Sequence, residues 1–98
     1  MSARGPSSTE PTELVELRRR LEALDRNVIA LIAEREALAR GIGAIKRAAG
    51  RPILDPAREA SVVRRACAMA RESGVDAEVV REIFWQLIGL CRRAQERA

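Results

Sequence analysis

The fold is decided by the stretch from Thr12 to Gly50, TELVELRRRLEALDRNVIALIAEREALARGIGAIKRAAG. Apolar residues recur in it at alternating intervals of three and four: Leu14, Leu17, Leu21, Leu24, Val28, Leu31, Leu38, Ile42 and Ile45. This spacing is the heptad pattern of a long helix that packs one apolar stripe against other helices. Arg35 stands where a further apolar residue is expected. A buried guanidinium is costly unless paired, so the sequence predicts either an internal carboxylate partner for Arg35 or an anionic ligand.

Two shorter helices are predicted after this stretch. Asp55 followed by Pro56 is a typical helix start, Gly74 is a typical helix end, and Asp76 is a typical N-cap of the next helix. We therefore expect an all-α subunit of three helices, at about residues 13–49, 56–73 and 77–97.

The chain is expected to hold one folded domain. Residues 1–11 are rich in Ser, Pro and Gly without periodicity, which predicts a disordered leader. Residues 12–98 are then the helical domain, since 98 residues leave room for one domain at most.

The long helix needs partners outside its own subunit. About 37 residues at 1.5 Å each span roughly 55 Å, whereas a compact domain of this length has a radius of gyration of about 13 Å. The sequence therefore predicts an intertwined helical homodimer in which a second copy covers the apolar stripe. Gly41 and Gly43 lie inside the helix at a cost of about 1 kcal/mol each relative to Ala. Their presence predicts close approach of another helix or of a ligand.

Composition narrows the functions that need consideration. A net charge of +4 is compatible with nucleic acid, an acidic membrane surface or a small anionic substrate. There is no histidine, and Cys67 and Cys91 share no metal-ligand spacing, so no metal site or cofactor is expected. The cysteines suit a reducing compartment, and no membrane span or signal-peptide core is visible, so we expect a cytoplasmic protein.

Several polar residues lie on faces that should be apolar. Glu59 lies one turn before Val63 on the stripe of the second helix, and Gln95 continues the stripe of the third. Lys46 lies within about 20° of Arg35 around the long helix. Together Arg35, Lys46, Glu59 and Gln95 could line one polar cavity. The alternatives are a plain Arg35–Glu59 salt bridge and a solvated Gln95 near the chain end.

The residue types that are missing restrict the chemistry of such a cavity. Without histidine there is no imidazole base, and no Gly-rich phosphate loop is present. What remains is a site that holds an anion with fixed cations and polarises a bond with Lys46 and Gln95. This suits a reaction driven by positioning and electrostatics, without acid–base or covalent catalysis.

At this point the chain resembles a known family, the AroQ-type (all-α) chorismate mutases, from about Leu14 to Gln95. The shared pieces are Leu17-Arg18, Leu24-Asp25, Ala33-Glu34-Arg35, Leu38-Ala39, Ile42-Gly43, Lys46, Pro52-Ile53, Asp55-Pro56, Arg58-Glu59, Phe84 and Gln95. The resemblance implies an intertwined dimer that converts chorismate to prephenate by a Claisen-type rearrangement in aromatic amino acid biosynthesis. Its substrate would be a small dicarboxylate, with no nucleic acid or membrane as partner.

The resemblance also implies roles for residues on the long helix and at the chain end. Arg35, and Arg18 from the other subunit, would grip the substrate's two carboxylates. Arg18 points about 100° away from Arg35 around the helix, so it could serve only the partner's pocket. Lys46 and Gln95 would hydrogen-bond the ether oxygen as the C–O bond breaks.

The second and third helices supply the remaining implied contacts. Glu59 and the backbone near Asp55 would hold the ring hydroxyl, while Arg58 would support the carboxylate end. Cys91 stands where the family pattern has a serine that can hydrogen-bond the carboxylate. A thiol is a weaker donor, so this contact departs from the pattern.

Other readings of the sequence stay open. Relatives of this fold act on isochorismate as pyruvate lyases or on 4-amino-4-deoxychorismate, and Glu59 could accept a hydrogen bond from either a hydroxyl or an ammonium. Gln95 favours chorismate. The alternative from another class is a basic coiled-coil dimer that binds nucleic acid, which would explain the charge and the stripe but not the inward position of Glu59 and Gln95.

Overall fold

A computed structural model describes residues 10–97, and this part of the chain is all helical, without a strand. Its helices are α1 (Thr12–Ala48), α2 (Pro56–Glu72) and α3 (Ala77–Arg97). The predicted three-helix, all-α fold is confirmed, and every helix end lies within one residue of its predicted place. Positions 1–9 of the predicted leader, and the last residue of the chain, lie outside the described residues. No helix in residues 10–97 is long and apolar enough to cross a membrane.

The chain divides into two compact units between Ile32 and Ala33. In the N-terminal unit, residues 10–32 carry no buried side chain. The start of α1 is held by the carbonyl oxygen of Pro11, which accepts hydrogen bonds from the N–H groups of Leu14 at 3.1 Å and Val15 at 3.2 Å. These bonds satisfy donors at the helix start that would otherwise lack a partner.

The C-terminal unit contains the hydrophobic core. The core is made by the apolar stripes of α2 and α3, whose packed residues are Val62, Val63, Cys67, Ile88, Ala77 and Phe84. The stripes predicted for these helices are therefore the ones that pack. Because small residues such as Ala66 and Ala94 are also buried there, the helices can approach closely.

Capping residues fix where α2 and α3 begin. The Asp55 carboxylate accepts a hydrogen bond from the Arg58 N–H at 3.2 Å, and Pro56 opens α2. The Asp76 carboxylate caps α3 in the same way, by accepting from the N–H of Glu78 at 2.9 Å. Such caps stabilise a helix by about 1 kcal/mol each. The cap on α2 also holds Asp55 and Arg58 at one end of the cavity described below.

Gly43 allows α3 to approach α1 within the C-terminal unit. A Cβ atom placed on Gly43 would lie 2.7 Å from the backbone oxygen of Gln95 and 2.8 Å from its Cα. These distances are too short for any residue other than glycine. At Gly41 no atom of the described residues lies within 4 Å of such an atom. The predicted close approach is thus found at Gly43, and no neighbour in residues 10–97 accounts for Gly41.

The apolar stripe of α1 is exposed in this chain. Its members in the C-terminal unit, Leu38, Ile42 and Ile45, are all exposed, whereas Ala39 and Gly43 are buried. Arg35 is half-buried. Because Arg35, Ala39 and Gly43 are spaced four residues apart, they form the inward face of the helix. Arg35 therefore belongs to this inward face rather than to the exposed line of apolar residues.

Candidate active site

The C-terminal unit encloses a cavity of about 440 Å³ between its helices and the loop that precedes α2. This volume lies in the range typical of small-molecule sites. Its polar and charged lining residues are Arg35, Lys46, Asp55, Arg58, Glu59, Cys91, Arg92 and Gln95. The structure thus brings together seven of the eight site residues that the sequence predicted, the exception being Arg18.

Arg35 donates a hydrogen bond from Nη1 to the Sγ of Cys91 at 2.9 Å. Cys91 is buried on the face of α3 that packs inward. No carboxylate within residues 10–97 forms an ion pair with Arg35. The alternative of a plain Arg35–Glu59 salt bridge is therefore wrong. A guanidinium whose partner is a thiol retains its capacity to bind an anion, because sulfur is a weak acceptor.

Glu59 is instead bound by Arg92, a residue that the sequence reasoning missed. Arg92 donates from Nε to one carboxylate oxygen at 2.9 Å and from Nη2 to the other at 3.0 Å. The Glu59 side chain is 16% exposed and that of Arg92 is 35% exposed. The hydrogen bond from Arg92 to Glu59, and the attraction between their charges, raise the pKa of Arg92. The sequence did contain a sign that Arg92 points inward, because Arg92 lies four residues after the buried Ile88 and so shares its helix face.

Lys46 lies near the end of α1 and is half-buried. Its Nζ donates to the backbone oxygen of Ile53 at 3.2 Å, which ties the ammonium to the loop before α2. An ammonium carries three N–H donors. The remaining donors are available to a ligand in the cavity that Lys46 lines.

Gln95 is anchored through its backbone while its amide remains unpaired. The backbone oxygen accepts a hydrogen bond from Nη1 of Arg47 at 2.9 Å and packs on Gly43. The side-chain Oε1 is buried and has no hydrogen-bond partner among the described residues. A solvated Gln95 is therefore wrong. A buried polar atom without a partner is costly, so it is typical of a group that meets a ligand.

Asp55 and Arg58 line the end of the cavity near the start of α2. Asp55 is half-buried through its capping role, and Arg58 is exposed. Arg18 lies in the N-terminal unit, where its guanidinium pairs with the Glu10 carboxylate and its side chain is 56% exposed. Within this chain Arg18 is thus a surface residue.

The charges around the cavity are unbalanced. Four cationic side chains face two carboxylates, which leaves an excess of two positive charges. Apolar residues such as Leu38, Ile42 and Val62 line the rest of the wall. Low-dielectric walls strengthen the attraction of the cations for an anionic ligand. The arrangement can therefore hold a small dianion and place N–H donors against it. No group of three or more potential metal ligands occurs in the described part of the chain.

Comparison with known proteins assigns the family. Residues 17–96 match the sequence model of the family described as chorismate mutase type II. The chain belongs to this family. The family resemblance seen in the sequence, and the enzyme class that it implied, an isomerase, are confirmed.

Proteins named as chorismate mutases are similar to this chain over most of its length. The chorismate mutase of Methanocaldococcus jannaschii is 37% identical over 76 residues, which cover 78% of this chain and 77% of that protein. The bifunctional chorismate mutase/prephenate dehydratase of Escherichia coli is 32% identical over 80 residues. That match covers 82% of this chain but 21% of the bifunctional enzyme, so the chain spans about a fifth of that relative's length.

A solved structure is similar to most of this chain. It is a conserved hypothetical protein from Pyrococcus furiosus, with a TM-score of 0.70 and 32% sequence identity. The match covers 88% of this chain and 99% of the other. The helical architecture of this chorismate mutase family member is therefore shared with an independently known chain. The family match also leaves the nucleic-acid-binding alternative without support.

Proposed function

We propose that this chain converts chorismate to prephenate by an intramolecular Claisen-type rearrangement. The observation that carries the proposal is the cavity itself, which combines an excess of two positive charges with the inward groups Arg35, Lys46 and Gln95. Chorismate is a small dicarboxylate, so its charge matches that excess. The proposed enzyme comprises residues 12–98.

Arg35 would bind one carboxylate of the substrate. Its hydrogen bond to the Cys91 thiol is weaker than a charge-assisted bond to a carboxylate, so an incoming carboxylate can replace it or share the guanidinium. A bidentate Arg–carboxylate pair would hold the enolpyruvyl arm over the ring. This restricts the substrate to conformations near the chair-like transition state and so reduces the entropic part of the barrier.

Lys46 and Gln95 would act on the breaking bond. Negative charge grows on the ether oxygen as the C–O bond breaks, and N–H donors stabilise that charge more than they stabilise the ground state. The buried amide oxygen of Gln95 has no protein partner, and rotation of the amide by half a turn presents its NH2 group at the same place. No proton is transferred and no covalent intermediate is needed.

Glu59, Asp55 and Arg58 would hold the far side of the substrate. Glu59 would accept a hydrogen bond from the ring hydroxyl, with the backbone near Asp55 beside it. Arg58 would support the carboxylate end from the first turn of α2, where it lines the cavity. These contacts orient the ring, so their loss should raise KM more than it lowers kcat.

A homodimer is the proposed functional form. The nine apolar residues of the α1 stripe are between 37% and 70% exposed, from Leu14 to Ile45. A continuous heptad stripe of this kind is covered in helical oligomers by a second helix with the same pattern. We propose that a second copy covers it in an intertwined arrangement, and that Arg18 reaches the pocket of the partner subunit to bind the second carboxylate.

A cytoplasmic location and a place in aromatic amino acid biosynthesis complete the proposal. Cys67 and Cys91 are both buried free thiols, which is the usual state of cysteine in a reducing compartment.

Product analysis tests the reaction. Micromolar enzyme is incubated separately with chorismate, isochorismate and 4-amino-4-deoxychorismate, while ultraviolet absorbance follows substrate loss and chromatography identifies the products. We expect prephenate from chorismate at a rate far above the uncatalysed one. If release of pyruvate from isochorismate were the main reaction, the proposed activity would be that of a lyase and not that of a mutase. Absence of turnover on all three substrates would overturn the enzyme proposal.

A further inference from the structure

The proposed reaction uses Glu59 as a hydrogen-bond acceptor for the substrate but gives no role to Arg92, the residue that binds Glu59. Both residues line the cavity, and the guanidinium engages both oxygens of the carboxylate at 2.9 and 3.0 Å. Arg92 is contributed by α3 and Glu59 by α2, so the pair also joins the two helices across the cavity wall. The catalytic step requires neither of these charges to move.

We infer that Arg92 determines the substrate class, by making the Glu59 subsite accept a neutral hydroxyl and reject an ammonium at the same ring position. The inference rests on the proposed function, in which Glu59 receives the substituent of the ring. It resolves a choice that the carboxylate alone leaves open, since a carboxylate can accept a hydrogen bond from either group.

The charge of the subsite is the first reason. A lone carboxylate in a partly buried site attracts an ammonium more strongly than a hydroxyl, because the ammonium is charged. With Arg92 bound to both oxygens, the pair is neutral overall. Each carboxylate oxygen has a further lone pair, so Glu59 can still accept a hydrogen bond from a neutral hydroxyl.

The position of the guanidinium is the second reason. A ligand donor at ordinary hydrogen-bond distance from Glu59 comes within about 6 Å of the nearest Arg92 nitrogen, the sum of two hydrogen-bond lengths. A ligand ammonium there faces a fixed like charge across a cavity that already holds Arg35 and Lys46 on α1 and Arg58 on α2. Among the described residues that line the cavity, Asp55 is the only other carboxylate. An ammonium is therefore disfavoured by repulsion and loses its water shell without full compensation.

The test compares kcat/KM for chorismate with kcat/KM for 4-amino-4-deoxychorismate, whose amine is protonated at neutral pH. The dimeric full chain is assayed as wild type and as the variants Arg92→Leu and Arg92→Lys. Arg93→Leu is the matched control, because Arg93 is the next residue on α3, is exposed and does not line the cavity.

We expect the wild type and Arg93→Leu to prefer chorismate to the same degree. Arg92→Leu should reduce that preference at least about tenfold, because the lone Glu59 carboxylate then favours the ammonium. Arg92→Lys keeps the positive charge, so most of the preference should be retained. A merely structural role of Arg92 would lower both kcat/KM values together and leave their ratio unchanged.

Each remaining outcome is decisive. An unchanged ratio in Arg92→Leu, or a wild type that prefers the amine, would overturn this inference and leave the mutase proposal intact. No turnover of either substrate by the wild type would overturn both. If circular dichroism shows that Arg92→Leu does not fold, Arg92→Gln replaces it with the same expected ratio. Glu59→Gln removes the negative charge and leaves the positive charge of Arg92. Because the remaining positive charge repels an ammonium, the ratio of kcat/KM for chorismate to that for the amine should increase.

Discussion

The two units of the chain use similar helical sequence in different ways. Residues 10–32 bury none of their side chains, although six large apolar residues of the stripe are spaced there as in a packed helix: Leu14, Leu17, Leu21, Leu24, Val28 and Leu31. Residues 33–97 contain a cavity and a core, and the core is built largely from alanine, valine and cysteine. A heptad pattern therefore predicts a helix with one apolar side, but it does not say which surface covers that side.

The two units differ in how much of the candidate site each one contains. The C-terminal unit carries the contacts that shape the cavity, so most of the site can be described within one chain. The N-terminal unit has an uncovered stripe and a surface arginine, Arg18, whose proposed role exists only in a dimer.

The largest loss of activity is expected when the proposed carboxylate-binding arginine of either unit, Arg18 or Arg35, is removed. Arg18→Ala and Arg35→Ala should each lower kcat/KM by about 100- to 1000-fold, by analogy with the loss of one oxyanion-hole donor. When the two variants are refolded together, mixed dimers contain one intact pocket, supplied with Arg18 by the other chain. Activity should then recover to about a quarter of the wild-type value, since about half the dimers are mixed and each has one working site.

Steady-state kinetics before and after mixing measures this recovery. Each variant refolded alone is the control and should stay inactive. No recovery in a mixture whose mixed dimers are verified by native mass spectrometry would show that Arg18 does not act across subunits. Full activity of Arg18→Ala alone would show that Arg18, and with it the N-terminal unit, contributes nothing to the site.

A charge placed in the exposed stripe should disrupt the dimer. Leu24→Lys puts an ammonium where the partner's stripe is proposed to pack, at a loss of about 1.5–3 kcal/mol of apolar burial per side chain. The expected result is a monomer, or a dimer that dissociates at micromolar concentration, in sedimentation velocity. Ala30→Lys is the matched control, because Ala30 is exposed but lies off the stripe, and it should leave the dimer unchanged. A stable dimer of Leu24→Lys would contradict the proposed interface.

The two glycines of α1 should respond in opposite directions to the same substitution. Gly43→Ala inserts a Cβ atom at 2.7 Å from the Gln95 backbone oxygen and should reduce the free energy of unfolding by about 1–3 kcal/mol. Gly41→Ala meets nothing within 4 Å and should increase it by up to about 1 kcal/mol, through better helix propensity. Urea unfolding at one fixed protein concentration measures both. Destabilisation by Gly41→Ala would indicate that the partner subunit approaches that residue.

The smallest effect is expected at Cys91. Cys91→Ser replaces a weak donor with a hydroxyl that can bind both Arg35 and a substrate carboxylate. We expect KM for chorismate to fall severalfold, equivalent to about 1 kcal/mol for one added hydrogen bond, with kcat nearly unchanged. Initial-rate kinetics gives both constants. An increase in KM would mean that the Arg35–thiol contact holds the guanidinium better than a hydroxyl does.

Much of this fold could be predicted because its signals are local. Asp55-Pro56, Asp76 and Gly74 mark helix ends through capping and backbone geometry, and Gly74 indeed has a positive φ of 73°. Arg35, Glu59 and Gln95 were visible as polar residues on helix stripes that are otherwise apolar. Their family resemblance then supplied roles that spacing alone does not give.

The features of the fold and of the site that could not be predicted depend on contacts between residues far apart in the sequence. Glu59 and Arg92 are 33 positions apart, and nothing in a single sequence pairs them. Within the C-terminal unit, Leu38, Ile42 and Ile45 are exposed because α3 packs on the face of α1 that contains Gly43, and a helical pattern is compatible with packing on either face. Burial of the Gln95 amide likewise depends on that close approach.

The contact between Gly43 and Gln95 has a consequence for how the proposed enzyme responds to heat. Gln95 lies in the final turn of α3, where helices ordinarily fray. Here its backbone is held by the flat surface of Gly43 and by the guanidinium of Arg47. We therefore expect the Gln95 amide, the proposed donor to the breaking bond, to lose its place when α1 and α3 separate, and not through opening of the last turn alone. Catalysis should persist up to the temperature at which the C-terminal unit unfolds, so inactivation and unfolding share one transition.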